Sequence, residues 1–201
     1  MNVGRPRTVE WQGRSVTSAI WKEPVDGPIH VAGVNLSGDD QADRRVHGGA
    51  DKAVYAYAIE DYEWWAAVGV DAGPASFGEN LTTRGLEVSS ACVGDRWRIG
   101  TVLLEVAQPR QPCFKLGIRM GDEHFPGRFE AAQRPGAYLR ILQEGDLAAG
   151  DPIEVQPAAT PSVTLVSMVS EPLDVALLRQ IAADERMAPG WRTRAERALA
   201  G

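Results

Sequence analysis

Cysteine is scarce in this sequence, and neither a long apolar run nor an excess of positive charge is present. The chain has 201 residues, only two of which are cysteines, and its formal net charge is −6. Two cysteines provide neither a disulfide framework nor the spacing of a zinc site. No apolar run reaches the ~20 residues that a membrane span needs, and an acidic chain lacks the positive field that attracts nucleic acid. We therefore expect a protein with no membrane and no nucleic-acid partner.

Export and redox-cofactor motifs are missing as well. Residues 1–7 contain no apolar segment of the kind found in secretory signals. We therefore expect a cytoplasmic protein with both thiols, Cys92 and Cys113, reduced. The sequence also lacks a G-x-G-x-x-G motif opening a βαβ unit and a ferredoxin-type cysteine cluster. Neither a dinucleotide site nor an iron–sulfur cluster is predicted.

Short segments rich in β-branched residues, separated by glycine turns, occupy most of the chain. Residues 8–11 and 14–20 predict a hairpin around Gly13. A helix is predicted at residues 59–68, with Ile59, Tyr62, Trp65 and Ala66 on one face and Gly69 at its end. Further strands are predicted at residues 29–31, 52–57, 86–88, 96–99, 102–107, 138–142 and 153–155. Residues 33–51 predict a long loop, and residues 144–146 a turn. This pattern predicts a mainly β fold with some helices (α+β), either a barrel or a sandwich.

The composition changes near residues 157–161, which predict a linker. Beyond it, residues 173–183 and 191–199 predict two helices, with Asp174 as the N-cap of the first. This tail is too short to hold a core of its own, so we expect it to pack on the β domain. The predicted organisation is a β domain over residues 1–157 and a short helical C-terminal extension over residues 162–201.

Cys113 follows an apolar predicted strand and lies between Arg110 and Lys115. Pro109 and Pro112 restrict the backbone here, so the thiol is expected to have fixed surroundings. Nearby cations favour the thiolate, which is the form that binds metals and reacts with electrophiles. An inert core cysteine is the competing interpretation, because free cysteine is among the most buried residue types.

Two other segments have features suited to binding an anion. In residues 43–52, Gly48 and Gly49 allow the backbone amides to approach a ligand closely, and His47 is a candidate proton donor. The cationic residues of this segment are Arg44, Arg45 and Lys52. In residues 77–81, Asn80 offers both a donor and an acceptor. Together with Arg110, these residues predict an anion site beside Cys113, although a glycine-rich loop with cations is by itself more often a solvated turn, and a lone histidine such as His47 is more often a surface or hydrogen-bonded residue than a catalyst.

Taken in order, these motifs resemble those of the MOSC domain family, and most closely its YiiM-like branch. The motifs are G-D-x-Q-x-D-x-R-x-H-G-G-x-D-K-A at residues 38–53, F-G-E-N-L at residues 77–81, V-G-D at residues 93–95 and Q-P-R-x-P-C-x-K-L at residues 108–116. The resemblance covers about residues 5–160. The tail around Pro189 and Trp191 resembles a shortened form of the helical extension of the same branch.

This resemblance implies a MOSC-type β-barrel with peripheral helices and an association with the molybdenum cofactor (molybdopterin). It implies that Cys113 ligates molybdenum or, as in sulfurase relatives, carries sulfur. A soft thiolate suits a metal centre that already has sulfur ligands, and cations and amides suit the pterin phosphate. The cofactor-binding residues that it suggests are Arg45, His47, Gly48, Gly49, Lys52, Asn80, Arg110 and Lys115.

The resemblance further implies the reduction of small N-hydroxylated compounds such as hydroxylaminopurines, with Cys113 and His47 as catalytic residues and His47 or water supplying protons. A separate flavoprotein or ferredoxin-like donor would provide the electrons. One alternative is a carrier of cofactor or sulfur that acts through Cys113 without turning over a substrate. Another is a metal-free thiol enzyme or peroxide sensor, although no second cysteine lies near Cys113 in the sequence to resolve a sulfenic acid. The sequence does not indicate which oligomeric state the protein adopts.

Overall fold

The computed structural model describes residues 1–40, 48–160 and 162–201. Its strands are β1 (Asn2–Val3), β2 (Arg7–Trp11), β3 (Arg14–Ser18), β4 (Glu23–Pro24), β5 (Ile29–Ala32), β6 (Asn35–Leu36), β7 (Val54–Ala58), β8 (Leu81–Thr83), β9 (Arg96–Ile99), β10 (Val102–Pro109), β11 (Ala137–Gln143), β12 (Gly145–Leu147) and β13 (Ile153–Gln156). Its α-helices are α1 (Ile59–Ala67), α2 (Phe114–Met120), α3 (Phe125–Ala131), α4 (Leu165–Val169), α5 (Val175–Ala183) and α6 (Pro189–Ala200). Two 3₁₀ helices span Ala50–Lys52 and Val88–Ser90.

A curled six-stranded sheet forms the centre of the fold, in the order β13–β9–β10–β11–β7–β8. Its pairs are antiparallel except β7–β8, which is parallel. Seven of the eight residues of β10 are buried, so this strand is covered on both faces. A strand in that position is expected to be apolar throughout rather than alternating. Because β10 ends at Pro109, the centre of the sheet leads directly into the segment that carries Cys113.

Two clusters of buried side chains flank the sheet. The first joins β-strand residues such as Val102 and Leu139 to Leu178 and Trp191 of the C-terminal helices. The second is aromatic and packs α1 against α3, with Trp65 and Phe129 fully buried. Within this second cluster, Nε1 of Trp65 donates a hydrogen bond to the Tyr57 hydroxyl at 2.9 Å. The resulting half-barrel with helices confirms the predicted fold class, a mainly β fold with some helices.

Most of the predicted elements are confirmed. The hairpin is β2–β3, and the first helix is α1, followed by Gly69 with a φ of 80°. Asp174 caps α5 by accepting a hydrogen bond from the Leu177 amide at 2.7 Å. The predicted strands at residues 29–31, 96–99, 102–107, 138–142 and 153–155 are β5, β9, β10, β11 and β13.

Some local predictions are wrong. Residues 86–88 form no strand, because a 3₁₀ helix begins at Val88. The predicted turn at residues 144–146 contains the start of β12, where a Cβ on Gly145 would lie 2.3 Å from Oγ1 of Thr101. This glycine therefore permits close packing of a strand. Ala66 is exposed although its position predicted burial, and the predicted loop over residues 33–51 contains β6 and a 3₁₀ helix in its described part.

The short helices α2, α3 and α4 and the strand β8 have no counterpart in the sequence prediction. The three helices have five to seven residues, which is too short for a helical period to be recognised. Gly117 also makes α2 difficult to predict from the sequence, because glycine normally weakens a helix. Here a Cβ on Gly117 would lie 2.9 Å from the carbonyl oxygen of Asp122, so the glycine allows the chain to fold back closely after α2.

The C-terminal helices contact the β domain directly. The Leu165 amide donates to the Ala91 carbonyl at 2.9 Å, and Cys92 forms an isolated β-bridge with Thr164. Leu178, Ile181 and Trp191 belong to the same buried cluster as the central strands. The predicted division at residues 157–162 stays a prediction. None of the helices in the described ranges is long and apolar enough to cross a membrane.

Candidate functional site

Cys113 lies just beyond the end of the central strand. Residues 110–112 link β10 to α2, and Cys113 is the N-cap residue of that helix, with φ −133° and ψ 173°. Its carbonyl accepts a hydrogen bond from the Leu116 amide at 2.9 Å. The side chain is half-buried. The thiol therefore occupies a position that the end of the sheet and the first turn of α2 both fix.

The Cys113 side chain lines a small cavity, called here the thiol cavity, with a volume of about 100 Å³. Four cationic side chains line it: Lys22, Lys52, Arg110 and Lys115. The other polar side chains of the lining are Ser18, Asp39, Asp40, Tyr55, Asn80 and Tyr138. Asp39 and Asp40 offset two of these four positive charges, so an excess of two cations remains beside the thiol, and this excess favours an anionic ligand.

Arg110 is held in place by the F-G-E-N-L motif. Its guanidinium Nη1 donates to the Phe77 carbonyl, and its Cζ lies 4.9 Å from the centre of the Tyr55 ring. Burial alone would lower the pKa of Arg110, but Tyr55, Tyr138 and Cys113 beside it raise the pKa above its usual value. A buried guanidinium oriented in this way provides a fixed positive charge.

The local backbone requires glycine at position 78 of this motif. Its φ is 77°, and a Cβ there would lie 2.9 Å from Cγ1 of Ile20. Both the left-handed backbone and the close approach require glycine. The turn therefore brings the Phe77 carbonyl to Arg110 while the chain beyond β3 packs against it.

Asn80 connects three parts of the site through its side-chain amide. Its Oδ1 accepts from the Tyr55 amide at 3.1 Å. Its Nδ2 donates to Oδ2 of Asp39 at 2.9 Å and to the Asn2 carbonyl at 3.2 Å. These bonds make Asn80 a positioning residue for the wall of the thiol cavity, and its contact with a cofactor stays a prediction.

Lys22 and Asp39 form a buried ion pair that the sequence analysis missed. Their side chains are 8% and 2% exposed, and Oδ1 of Asp39 also accepts from the Gly4 amide at 2.6 Å. Burial lowers the pKa of Lys22, while Asp39 opposes this shift. Asp39 belongs to a motif that the sequence shows, but nothing local distinguishes Lys22 from an exposed lysine. Only the tertiary fold reveals this pair.

Lys52 lies within electrostatic range of Cys113. Burial lowers the pKa of Lys52, and the negative charges available at Cys113 and Asp51 act against that shift. Lys52 ends the 3₁₀ helix that follows Gly49, whose φ of 96° favours glycine. The Lys52 amide donates to the Gly49 carbonyl at 3.1 Å. The glycine pair therefore starts the turn that carries Lys52 to the thiol cavity.

The structure brings together five of the residues singled out from the sequence: Lys52, Asn80, Arg110, Cys113 and Lys115. Gly48 and Gly49 are not part of the described lining of the thiol cavity. Arg45 and His47 lie outside the described residues, as does Arg44. Their predicted roles stay predictions.

Cys92 occupies a separate place. It bridges Thr164, and burial raises the pKa of its thiol. Among the described residues that line the thiol cavity, Cys113 is the only cysteine. In the same described ranges, no group of three or more histidine, cysteine, aspartate or glutamate side chains is placed to hold a metal ion.

Three proteins of similar sequence each align with more than two thirds of this chain. The protein YflK of Bacillus subtilis is 36% identical over 156 residues, which cover 77% of this chain and 71% of YflK. YiiM of Escherichia coli is 36% identical over 143 residues, covering 69% of this chain and 63% of YiiM. A protein of Gibberella moniliformis named Reductase is 36% identical over 150 residues. These residues cover 71% of this chain but only 26% of the fungal protein.

The fold is also that of a solved YiiM structure. The crystal structure of YiiM from Geobacillus stearothermophilus has a TM-score of 0.78 and 31% identity, covering 98% of this chain and 96% of that one. The model of the MOSC domain matches residues 43–154, more than half of the chain. The family resemblance of the motifs is therefore confirmed, and the chain belongs to the MOSC domain family and is similar to its YiiM members.

Proposed function

We propose that this protein binds the molybdenum cofactor with Cys113 as a metal ligand and reduces small N-hydroxylated compounds. The observation that carries this proposal is the half-buried thiol of Cys113 in a cavity lined by Lys22, Lys52, Arg110 and Lys115. Family membership and a relative named Reductase support an oxidoreductase. The substrate class comes from the resemblance to the YiiM branch.

The residues that line the thiol cavity fit an anionic, sulfur-ligated group. A thiolate is a soft ligand, which suits a metal centre that carries other sulfur ligands. Lysine and arginine side chains suit a phosphate, since charge-assisted hydrogen bonds to phosphate are strong. With a volume of about 100 Å³, the thiol cavity matches one end of such a group rather than the whole pterin. When bound, the cofactor would supply two-electron redox chemistry.

The side chains of the thiol cavity would hold the cofactor by charge and hydrogen bonds. Arg110 would provide a fixed charge, because Phe77 and Tyr55 hold its guanidinium in place. Lys52 and Lys115 would neutralise the anionic end of the cofactor. Burial raises the pKa of Tyr138, so its hydroxyl keeps its proton at neutral pH and can donate it in a hydrogen bond.

The reaction has a simple balance. An N-hydroxylamine takes up two electrons and two protons, its N–O bond breaks, and an amine and water form. A separate flavoprotein or ferredoxin-like donor would supply the electrons. His47 or a water molecule would supply the protons, because a histidine titrates near neutral pH.

Metal analysis tests this proposal directly. We expect protein produced with molybdate to contain about one molybdenum per chain, together with pterin fluorescence, and to reduce 6-hydroxylaminopurine with reduced methyl viologen as donor. Cys113→Ser should lose the metal, whereas the matched variant Cys92→Ser should keep it, since Cys92 lies outside the thiol cavity. A wild-type protein without molybdenum, or a Cys113→Ser variant fully loaded with it, would refute the ligand role.

A carrier function is the second candidate, because Cys113 is only half-buried. In that case wild-type protein would hold the cofactor, or a persulfide detected by intact mass, without reducing an N-hydroxylated compound. Turnover with reduced methyl viologen would exclude a carrier-only role.

A further inference from the structure

The hydroxyl of Tyr138 differs from those of the other three tyrosines. Each of the other three forms a hydrogen bond of 2.8 or 2.9 Å within the fold, the pairs being Tyr55–Pro135, Tyr57–Trp65 and Tyr62–Glu79. The Tyr138 hydroxyl has no hydrogen-bond partner among the described residues, nor is it one of the buried polar atoms that lack a partner there. This hydroxyl is therefore accessible and free to bind a ligand.

The accessible hydroxyl belongs to the thiol cavity. Tyr138 is half-buried and lines this cavity together with Cys113. Burial is the main cause that raises the pKa of the Tyr138 hydroxyl, while Arg110 opposes this shift and a charge on Cys113 adds to it. Both side chains are thus close enough to act on the hydroxyl oxygen. An acceptor for this hydroxyl would therefore lie near the thiol of Cys113.

The ring of Tyr138 rests against a side chain that is itself held in place. Tyr138 lies opposite Tyr55 in the β7–β11 pair, and the two ring centres are 4.9 Å apart at an angle of 38°. Tyr55 is fixed by its hydrogen bond to the Pro135 carbonyl and by the Arg110 guanidinium against its ring. A donor that is positioned in advance costs little reorganisation when its acceptor arrives.

The absence of charge on this donor favours a neutral acceptor. Lys52 and Lys115 of the same cavity carry positive charges. Hydrogen bonds from charged donors to phosphate are about twice as strong as those from neutral donors, so the lysines are the better partners for the anionic end of the cofactor. The phenol of Tyr138 is then left for an uncharged oxygen, such as that of an N–OH group.

We propose that the Tyr138 hydroxyl donates a hydrogen bond to the oxygen atom of the substrate N–OH group, so that Tyr138 is a catalytic residue. The inference rests on the proposed function and identifies the side chain that contacts the reacting oxygen. This oxygen gains electron density as the N–O bond breaks, so the hydrogen bond is stronger in the transition state than in the bound substrate. Tyr138 keeps its own proton, and the two protons of the reaction come from His47 or water.

Ligand binding without an electron donor tests this contact. Adenine differs from 6-hydroxylaminopurine only by lacking the oxygen atom. In oxidised, molybdenum-loaded wild type, we expect isothermal titration to give a Kd for 6-hydroxylaminopurine at least about fivefold lower than that for adenine. Tyr138→Phe keeps the ring but removes the hydroxyl, and should bind the two compounds equally within about twofold. Tyr57→Phe is the matched control and should keep the wild-type preference, because it removes a hydroxyl outside the described lining of the thiol cavity.

Turnover with reduced methyl viologen provides a second measurement. Tyr138→Phe should lower kcat about 100-fold, the usual cost of losing one donor to the reacting oxygen, with a smaller change in KM. Its molybdenum content and melting temperature should match the wild type, because the substitution breaks no hydrogen bond within the described residues. Loss of molybdenum from Tyr138→Phe would assign the hydroxyl to an oxygen of the cofactor and overturn the inference.

Failure of the inference is distinguishable from failure of the proposed function. An active wild type with an equally discriminating or equally fast Tyr138→Phe variant would overturn the inference alone. A wild type that lacks molybdenum, or that neither binds nor reduces 6-hydroxylaminopurine, would overturn the proposed function and the inference with it.

Discussion

Arg140 donates from Nε to Oδ1 of Asp51 at 2.9 Å, next to Lys52 in the chain. The same guanidinium donates from Nη1 to Glu105 at 3.0 Å and from Nη2 to the Arg186 carbonyl at 2.9 Å. One side chain of β11 thereby joins the turn that carries Lys52, the central strand and the connection between α5 and α6. The position of Lys52 at the thiol cavity is thus tied to the docking of the C-terminal helices.

Removing this arginine should therefore be strongly destabilising. The Arg140 side chain is 18% exposed and that of Glu105 only 9%, so Arg140→Ala leaves a largely buried carboxylate with the half-exposed Arg96 as its remaining ion-pair partner. We expect a loss of about 3 kcal/mol in the free energy of unfolding, measured by urea titration. Arg7→Ala is the control, because the Arg7–Glu23 pair is exposed at 50% and 69% and should contribute less than about 1 kcal/mol. Equal losses in the two variants would contradict a special role for Arg140.

Gly78 provides a test of the turn that positions Arg110. Gly78→Ala combines a φ of 77° with a Cβ 2.9 Å from Ile20. In Gly27→Ala the φ is 76° but nothing lies within 4 Å of the added Cβ. The control thus carries the backbone strain alone, about 1 kcal/mol. We expect Gly78→Ala to lose at least about 1 kcal/mol more in urea unfolding, and a similar loss in both variants would show that the packing against Ile20 relaxes freely.

The α5–α6 connection should make stability depend on acidic pH. Hydrogen bonds from the Arg186 side chain are the main cause that lowers the pKa of Asp184 to about 2, with a further bond from Ser162. A carboxylate with a lowered pKa stabilises the folded state above its unfolded pKa, and this contribution is lost as the pH falls through the folded pKa. Asp184→Asn should therefore lose about 1 kcal/mol at pH 7, allowing for solvent screening. The gap to wild type should close between about pH 4 and pH 2, and a gap that is independent of pH would contradict this assignment.

The sequence could predict those parts of the site whose chemistry is contiguous along the chain. Cys113 could be recognised because Arg110 and Lys115 lie within three residues of it, and the order of the motifs identified the family. Asp39 belongs to one of these motifs, but its pairing with Lys22 could not be predicted, because hydrogen bonds from Gly4 and Asn80, far apart in sequence, define the position of the pair.

The same holds for the fold: elements whose signal lies in their own sequence can be predicted, and features that depend on distant residues cannot. Long strands such as β10 carry their signal in their own composition. A cavity of about 420 Å³, in contrast, arises where α3, α4 and α6 meet, and the residues that line it are spread between positions 110 and 194. No local sequence pattern predicts this cavity, because its shape depends on how the helices pack.

Substitutions of Lys52 and Arg110 distinguish the role of a cation in cofactor binding from its role in the stability of the thiol cavity. Lys52 is half-buried, and burial lowers its pKa, so Lys52→Ala removes a poorly solvated charge and should change the free energy of unfolding by less than about 1 kcal/mol. Arg110 is 6% exposed and binds the Phe77 carbonyl. Arg110→Ala leaves that oxygen unpaired and a void beneath Tyr55, which should be destabilising by about 3 kcal/mol.

Both substitutions should reduce the molybdenum retained after dialysis against phosphate, because each removes a cation from the thiol cavity. The informative comparison is between retention and melting temperature. We expect Lys52→Ala to lose most of its molybdenum at an almost unchanged melting temperature, whereas Arg110→Ala should lose both metal and stability. A Lys52→Ala variant that melts early but retains its metal would show that Lys52 acts as a structural cation instead of an anion-binding one.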